Sequence, residues 1–391
     1  MPSQPTIERR TGANGSSPST DRLTTPPGPG EPPPVPGGAR HVPEGASEQA
    51  PSSNQRRFVI SFLASCLGVL ASVLAFNVVI DPFALAGTGL VPTAVEPDRS
   101  IKLDLLQNLK GGPEILIMGS SRSRQAEPSL LQKLTGHAGF NAGVTGGTSA
   151  DEWVFTRFAA DLFPHQKRRY IWFTDIGLAG GGVLPQLAQD PRARRYLRGG
   201  PSFGLGDVET YLSTDAAKAS WRVLKKCVLG SCSSHIGYRP DGSLTNQSLH
   251  YLPERAKSLR KSVAKLIAAV RAHHETLAQA RADINTPGRF FYFDRTLEFM
   301  NRRGEVPVIV LNPVYPSVLA ELRKQGYPER RATLEKVTEL HKRFAFVLVD
   351  CHDIRTWGGT TDDWNNATHV NRGNMRRMLR YIVAHSGGAL R

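Results

Sequence analysis

The sequence predicts an α/β domain with a parallel sheet, preceded by one membrane-spanning helix and a disordered N-terminal tail. Three observations lead to this fold class. Four short, nearly continuous apolar segments end in polar residues and are separated by segments with helical periodicity, which is typical of a parallel sheet covered on both faces. A run of 22 uncharged residues precedes them, and the first 55 residues are rich in proline.

Residues 1 to about 55 form the predicted tail. They contain 12 of the 28 prolines and no Phe, Tyr or Trp. Such a segment cannot bury enough apolar surface to offset the chain entropy lost on folding. We interpret it as a disordered linker, and a proline-rich ligand for a partner domain is the alternative.

The uncharged run Phe58–Val79 is long enough to cross a bilayer, since 22 residues of helix measure roughly 33 Å. Arg56 and Arg57 precede it, and no Lys or Arg follows until Arg99. The positive-inside rule therefore predicts a cytoplasmic tail and an extracytoplasmic domain over residues 81–391. A buried core helix and a cleaved signal peptide are the alternatives, and the long preceding tail argues against both.

The net charge of +15 falls almost entirely on the part after the span. A basic extracytoplasmic domain suits anionic envelope polymers or lipid headgroups. The chain has no nucleic-acid-binding motif, so we expect no nucleic-acid partner. Of the four cysteines, Cys66 lies in the span and Cys351 has no neighbour. Cys227 and Cys232 are close enough to pair in an oxidising compartment, with zinc binding or two unlinked thiols as alternatives.

Within residues 81–391, the segments between the predicted strands read as helices. Ala256 to Val270 and Glu329 to Phe344 have apolar residues at helical spacing. Residues 180–250 are rich in Gly, Ser and Arg and are interpreted as an insertion or cap. The predicted strands are Pro113–Ser120, Arg169–Asp175, Val306–Asn312 and Phe344–Asp350.

Ligands of open parallel sheets gather at the carboxyl ends of the strands, and three sequence blocks stand where such a site is expected. The first strand ends in Gly119-Ser120-Ser121, which places a hydroxyl at a loop-to-helix junction. A second block, residues 140–149, has three glycines in five residues, so its backbone can approach a ligand closely. The third, residues 362–373, carries His369, a candidate base for a serine.

In this order the three blocks resemble those of the SGNH (GDSL-type) hydrolase superfamily. The resemblance implies a flavodoxin-like three-layer fold and a Ser–His acyl-enzyme mechanism. It makes Ser121 the nucleophile, Gly146 and the Ser121 amide the oxyanion donors, and His369 the base. The layout of one span followed by an outer domain is similar to that of envelope proteins implicated in alginate O-acetylation and in D-alanine transfer to teichoic acid.

The chain departs from the superfamily pattern in three places. Ser120 stands where the first block has Asp, and Asp175 follows a strand where the pattern has a Gly-x-Asn-Asp block. Asn366 stands three residues before His369, where the superfamily has the Asp that orients the imidazole. Asp362 or Asp363 would replace that carboxylate from a shifted position, and Asn312 is the candidate for the missing oxyanion donor.

The sequence thus predicts a membrane-anchored, extracytoplasmic esterase or O-acyltransferase that acts on a cell-envelope glycan or acyl donor, within an envelope complex or alone. We expect no metal or nucleotide cofactor, since His250, His273 and His274 lack partners at metal-ligand spacing. The alternative is a degenerate domain that binds glycan or scaffolds an envelope complex without chemistry. A domain facing the cytoplasm is a third reading.

Overall fold

The computed structural model describes residues 53–82, 98–178, 181–197, 208, 211–229, 237–245 and 255–391. The predicted tail lies almost entirely outside these residues, as do Cys232, His250 and parts of the segment 180–250. Ser61–Arg391 form one compact unit.

Thirteen α-helices of the described residues are used below, numbered in chain order. They are α1 (Ser53–Ile80), α2 (Asp98–Gln107), α3 (Pro128–Thr135), α4 (Ser149–Leu162), α5 (Pro185–Gln189), α6 (Pro191–Arg194), α7 (Thr214–Val228), α8 (Arg255–Ala272), α9 (Leu277–Ile284), α10 (Phe291–Arg302), α11 (Pro316–Lys324), α12 (Pro328–His341) and α13 (Arg372–Ala384).

Five strands form one parallel sheet in the order β2-β1-β3-β4-β5, and two more form a small antiparallel pair. The strands are β1 (Ile115–Met118), β2 (Gly139–Asn141), β3 (Arg169–Thr174), β4 (Val308–Leu311), β5 (Val347–Asp350), β6 (Trp364–Asn366) and β7 (His369–Val370). The predicted α/β class with a parallel sheet is therefore confirmed, and each of the four predicted strands contains an observed one.

The sheet is buried on both faces, which explains why its strands read as continuous apolar runs. Alternate side chains of a strand point to opposite faces. Leu116 and Trp172 belong to one apolar cluster, which α4 and α10 help to form. Ile117 and Phe173 belong to a second cluster on the other face, with α13. Every residue of β1 and β4 is buried.

The edge strand β2 was not predicted. It has only three residues, Gly139–Asn141, and a Gly-Phe-Asn sequence lacks the β-branched residues that indicate strands. Its outer edge is covered rather than open. The Asn141 amide donates a hydrogen bond to the carbonyl of Asp241 at 2.9 Å, in a turn closed by a bridge between Tyr238 and Leu244.

Helix α1 contains the predicted span. It has 28 residues, and its most apolar 18-residue window has a mean hydropathy of 2.4 and no residue buried inside the protein. By length and composition α1 can cross a membrane. The exposed apolar side chains along it, including Phe58, Leu63 and Leu70, are unlike those of a core helix.

Two of the cysteines are free and one is oxidised. Cys66 is exposed on α1, and Cys351 is buried directly after β5. Cys227, near the end of α7, is disulfide-bonded. This state excludes zinc ligation and a free thiol at that position.

Candidate active site

The turn after β1 presents Ser121 at the carboxyl edge of the sheet. Gly119 leaves the strand with φ of 135°, a conformation that favours glycine. A Cβ on Gly119 would lie 2.5 Å from the carbonyl oxygen of Phe173 on the neighbouring strand. The chain then closes a tight turn, in which the amide of Ser123 donates to the carbonyl of Ser120 at 3.0 Å. Ser121 is half-buried in this turn.

His369 is brought to Ser121 from the far end of the chain. It opens β7, which pairs with β6 in a short antiparallel ribbon just before α13. Its Nε2 lies 2.8 Å from the Oγ of Ser121. The hydroxyl and the imidazole that sequence analysis paired are thus within hydrogen-bond distance.

Asn366 holds the other side of the His369 ring. Its Oδ1 accepts hydrogen bonds from the backbone amides of Thr368 at 2.9 Å and His369 at 3.0 Å. Two amide donors identify this atom as oxygen rather than nitrogen. The same oxygen lies 3.0 Å from Nδ1 of His369.

This contact favours one imidazole tautomer. Asn366 Oδ1 is an acceptor next to Nδ1, and the nearby hydroxyl of Thr368 donates to the same oxygen at 3.0 Å. Both features favour the proton on Nδ1, which leaves the lone pair of Nε2 facing Ser121. An asparagine at this position would impair a general base if its NH₂ group faced the ring, because the imidazole would then be held in the wrong tautomer. Here the two backbone donors on Asn366 hold the opposite orientation.

Asp363, the proposed substitute carboxylate, is placed differently. Its carboxylate accepts from Asn371 Nδ2 at 3.0 Å and Thr360 Oγ1 at 3.1 Å, and it also binds Arg377. These donors lower the pKa of Asp363, with Arg377 the largest cause. Among the described residues, these side-chain hydrogen bonds join Asp363 to the loop before α13 and to the first turns of that helix, and none joins it to the ring of His369. Asp362 is exposed.

The electrostatic environment keeps His369 neutral. Burial lowers the pKa of His369 to about 4, and the positive charges of Arg122 and Arg124 act in the same direction. Asp175 opposes them. At neutral pH the imidazole is therefore a free base, the form that a general base requires.

The glycine-rich loop after β2 lies directly against the turn of residues 119–123, which carries Ser121. A Cβ on Gly147 would be 2.7 Å from the carbonyl oxygen of Gly119, and one on Gly143 would be 2.0 Å from Ser123 Oγ. Gly146 has φ of 59°. Within the described part of the chain, neither the Ser121 amide nor the Gly146 amide donates a hydrogen bond, so both are available to a ligand.

Three charged residues of α2 support this loop, and sequence analysis did not find them. Lys102 is fully buried and its Nζ donates to the carbonyl of Asn141 at 2.9 Å. Arg99 makes two hydrogen bonds to Asp151 at 2.7 and 3.0 Å. Asp98 accepts from the amide of Thr145. Burial lowers the pKa of Lys102 to about 7.

An ion pair lies at Asp175, the position where the superfamily pattern has its Gly-x-Asn-Asp block. Asp175 lies 2.9 Å from Nη1 of Arg122, and the same carboxylate oxygen accepts from Nδ2 of Asn312 at 2.8 Å. The side-chain nitrogen of Asn312, a residue that is only 2% exposed, is thus bound to Asp175.

A cleft of about 260 Å³ borders the turn of residues 119–123 at Ser120. Polar side chains line it, including Thr148, Glu152, Asp175 and Arg289, beside the apolar Trp172. Glu152 is 4% exposed and its pKa is raised well above the usual value, by burial first and then by Asp151. The Oε2 of Glu152 has no hydrogen-bond partner in the described residues.

One group of potential metal ligands lies away from this site. The side chains of His273, Glu275 and Glu329 approach to within 4.8 Å of one another, at a second cavity of about 210 Å³. Sequence spacing did not show the group, because Glu329 comes from a distant helix. Exposed side chains of this kind often meet at protein surfaces, and we assign the group no role.

No protein-family model and no curated protein sequence matches the chain.

Proposed function

We propose that the protein is a membrane-anchored, extracytoplasmic serine esterase or O-acyltransferase of the SGNH type, acting on a cell-envelope polysaccharide. One observation carries the proposal: Ser121 Oγ, His369 Nε2 and His369 Nδ1–Asn366 Oδ1 form one chain of hydrogen bonds of 2.8 and 3.0 Å. The strand order β2-β1-β3-β4-β5 supports the proposal, because flavodoxin-like folds have this order and bind ligands at the carboxyl ends of their strands, where Ser121 lies.

In the first half-reaction, Ser121 Oγ attacks the carbonyl carbon of an ester. His369 Nε2 takes the hydroxyl proton, and the carbonyl oxygen becomes an anion facing the amides of Ser121 and Gly146. The tetrahedral intermediate then collapses. The bond to the leaving alkoxide breaks, His369 returns the proton to that oxygen, and an acyl group remains on Ser121.

In the second half-reaction, water or a sugar hydroxyl attacks the acyl-enzyme. His369 takes the proton of the attacking oxygen and returns it to Ser121 Oγ as the acyl group leaves. Hydrolysis and transfer share this covalent intermediate and differ in the acceptor. A neutral His369 and a fixed Nδ1 proton suit both steps.

Three features support the extracytoplasmic placement. Arg56 and Arg57 precede the span, and no cation follows it until Arg99. Cys227 is disulfide-bonded, as in proteins of oxidising compartments. A positively charged domain outside the membrane suits an anionic polysaccharide.

Ester hydrolysis by the full-length protein in detergent tests the catalytic proposal. With p-nitrophenyl acetate we expect Ser121→Ala and His369→Ala each to lower kcat at least about 100-fold, the range for loss of a nucleophile or general base. Ser129→Ala, at an exposed serine of α3, is the matched control and should retain full activity.

A glycan-binding domain without chemistry is the second candidate. It is favoured by the Arg122–Asp175 ion pair, which stands where the superfamily pattern has its Gly-x-Asn-Asp block. In that case the native protein would hydrolyse the ester no faster than Ser121→Ala. It would still bind polysaccharide fragments in a calorimetric titration.

A further inference from the structure

The C-terminal end of α1 is held by hydrogen bonds to α7 and to Tyr211, three residues before α7. Asn77, the one strongly polar residue of the span, is fully buried. Its Nδ2 donates to the carbonyl of Tyr211 at 2.6 Å, and its Oδ1 accepts from Ser220 Oγ at 2.7 Å. The hydroxyl of Tyr211 hydrogen-bonds to Asp81. These contacts explain why an apolar helix carries an asparagine near its end.

The contacts place α7 close to the level where the span leaves the membrane. Asn77 is three residues before Ile80, the last residue of α1, which corresponds to about 5 Å along a helix. Asp81, the next residue, adopts φ of 46° and stops the helix. A bilayer crossed by α1 therefore has its headgroup region at the depth of Ser220, because the polar interfaces lie at the ends of the span.

Helix α7 has one buried face and one exposed face. The buried face consists of the small or apolar residues Ala216, Ala219, Ser220 and Val223. The opposite face carries cations together with large apolar side chains. It comprises Lys218, Trp221, Arg222, Lys225 and Val228, with Leu229 just after the helix, and all six are exposed.

The exposure of Trp221 is exceptional in this protein. Its side chain is 63% exposed, and Val228 and Leu229 are 76% and 66% exposed. The other four tryptophans are between 1% and 6% exposed. A tryptophan beside lysines and arginine is the composition of helices that lie in a membrane interface, where the indole sits among headgroups and the cations meet lipid phosphates.

We propose that α7 lies in the headgroup region of the membrane, with Trp221, Val228 and Leu229 inserted and the three cations bound to anionic phospholipid. The inference rests on α1 spanning the membrane and is independent of the catalytic proposal. It gives the domain a second attachment to the bilayer next to the end of the span.

Tryptophan quenching in nanodiscs tests this placement. Full-length protein is incorporated into nanodiscs that contain phosphatidylglycerol and phosphatidylcholine, with or without bromine at shallow acyl positions. We expect brominated lipid to quench the native emission, and Trp221→Phe to remove more than half of the quenched signal. The four buried tryptophans provide the background in both proteins. Lys218→Glu/Lys225→Glu should reduce the quenching in anionic nanodiscs.

Two results would overturn the proposal, and they are distinguishable. If the protein does not co-elute with nanodiscs, both the span and the interfacial helix are wrong. If it co-elutes but native protein and Trp221→Phe lose the same emission, α7 does not touch lipid. Protection of Trp221 from acrylamide without quenching by bromine would show a protein partner on this face and would also refute the lipid assignment. Esterase activity bears on neither result.

Discussion

At the residue scale, we propose that Asn366 has the role that a carboxylate has in most serine hydrolases, without the charge. The two backbone amides on its Oδ1 fix the orientation of the amide, and that orientation fixes the proton on His369 Nδ1. Burial of the ring, together with the positive charges of Arg122 and Arg124, keeps the pKa of His369 low against the opposing charge of Asp175. The sequence marks Asn366 as a departure from the pattern that the chain resembles, whereas the 3.0 Å contact of its Oδ1 with His369 Nδ1 is compatible with an orienting role.

We predict that Asn366→Ala lowers kcat roughly 100-fold with little change in KM, because the ring loses its orientation and its fixed tautomer. Asn366→Asp should keep substantial activity, since the carboxylate oxygen can accept the same three contacts. Steady-state kinetics of both variants with p-nitrophenyl acetate measure this. Equal losses in Ala and Asp variants would show that the amide does not position the imidazole.

The pH profile gives a second test at this scale. His369 is active when neutral, so kcat/KM should fall only as the pH drops toward about 4, well below the ordinary histidine value. Arg122→Gln removes a cation that disfavours the imidazolium, so its acid limb should move to higher pH. Arg302→Gln, at an exposed arginine of α10, serves as the control. An acid limb near pH 6.5 in the native protein would contradict the buried, uncharged environment.

At the scale of elements, α2 and the loop after β2 act as one unit. Sequence analysis identified the glycines of that loop but not their support, since no residue pattern marks Asp98, Arg99 and Lys102 as buried. Buried charges of this kind depend on partners far away in the chain, such as Asp151, and a single sequence does not show them. The edge strand β2 was missed for a related reason, because its pairing with β1 outweighs a weak local preference.

Replacement of the buried lysine tests the support of the loop. The ammonium of Lys102 donates to the carbonyls of both Asn141 and Gly143. Lys102→Met removes this donor from both, which costs about 2 kcal/mol or more of unfolding free energy. We expect Tm to fall by roughly 5 °C, measured by thermal denaturation. Lys110→Met, at an exposed position after α2, should leave Tm unchanged. A stable Lys102→Met variant with full activity would show that the loop does not need this anchor.

The close approach of the glycine-rich loop after β2 to the turn of residues 119–123 can be tested separately. In Gly147→Ala the new Cβ meets the backbone of Gly119 at 2.7 Å, so one of the two segments must shift. We expect kcat to fall at least about tenfold, because a shift of either segment moves the backbone amides away from the position of the oxyanion. Gly182→Ala, which has open space around its Cβ, should be neutral. Unchanged kcat in Gly147→Ala would argue that the amides of this loop do not face the substrate.

For the molecule as a whole, the sequence is informative about architecture and less so about the chemistry of the site. Continuous apolar strands and one long uncharged run are strong local signals, so the parallel sheet and the candidate span were predicted. The pairing of Ser121 with His369 required the resemblance to a family, because 248 residues separate them. The contacts of Asp363 and Asn312 depend on side-chain orientation, which no residue pattern specifies.

The direct test of the central claim is active-site labelling. Full-length protein is treated with a fluorophosphonate, and the modified peptide is located by tandem mass spectrometry. The account predicts one phosphonylated residue, Ser121, with labelling abolished in Ser121→Ala and strongly slowed in His369→Ala. An unlabelled native protein, or an adduct on a different serine, would contradict it.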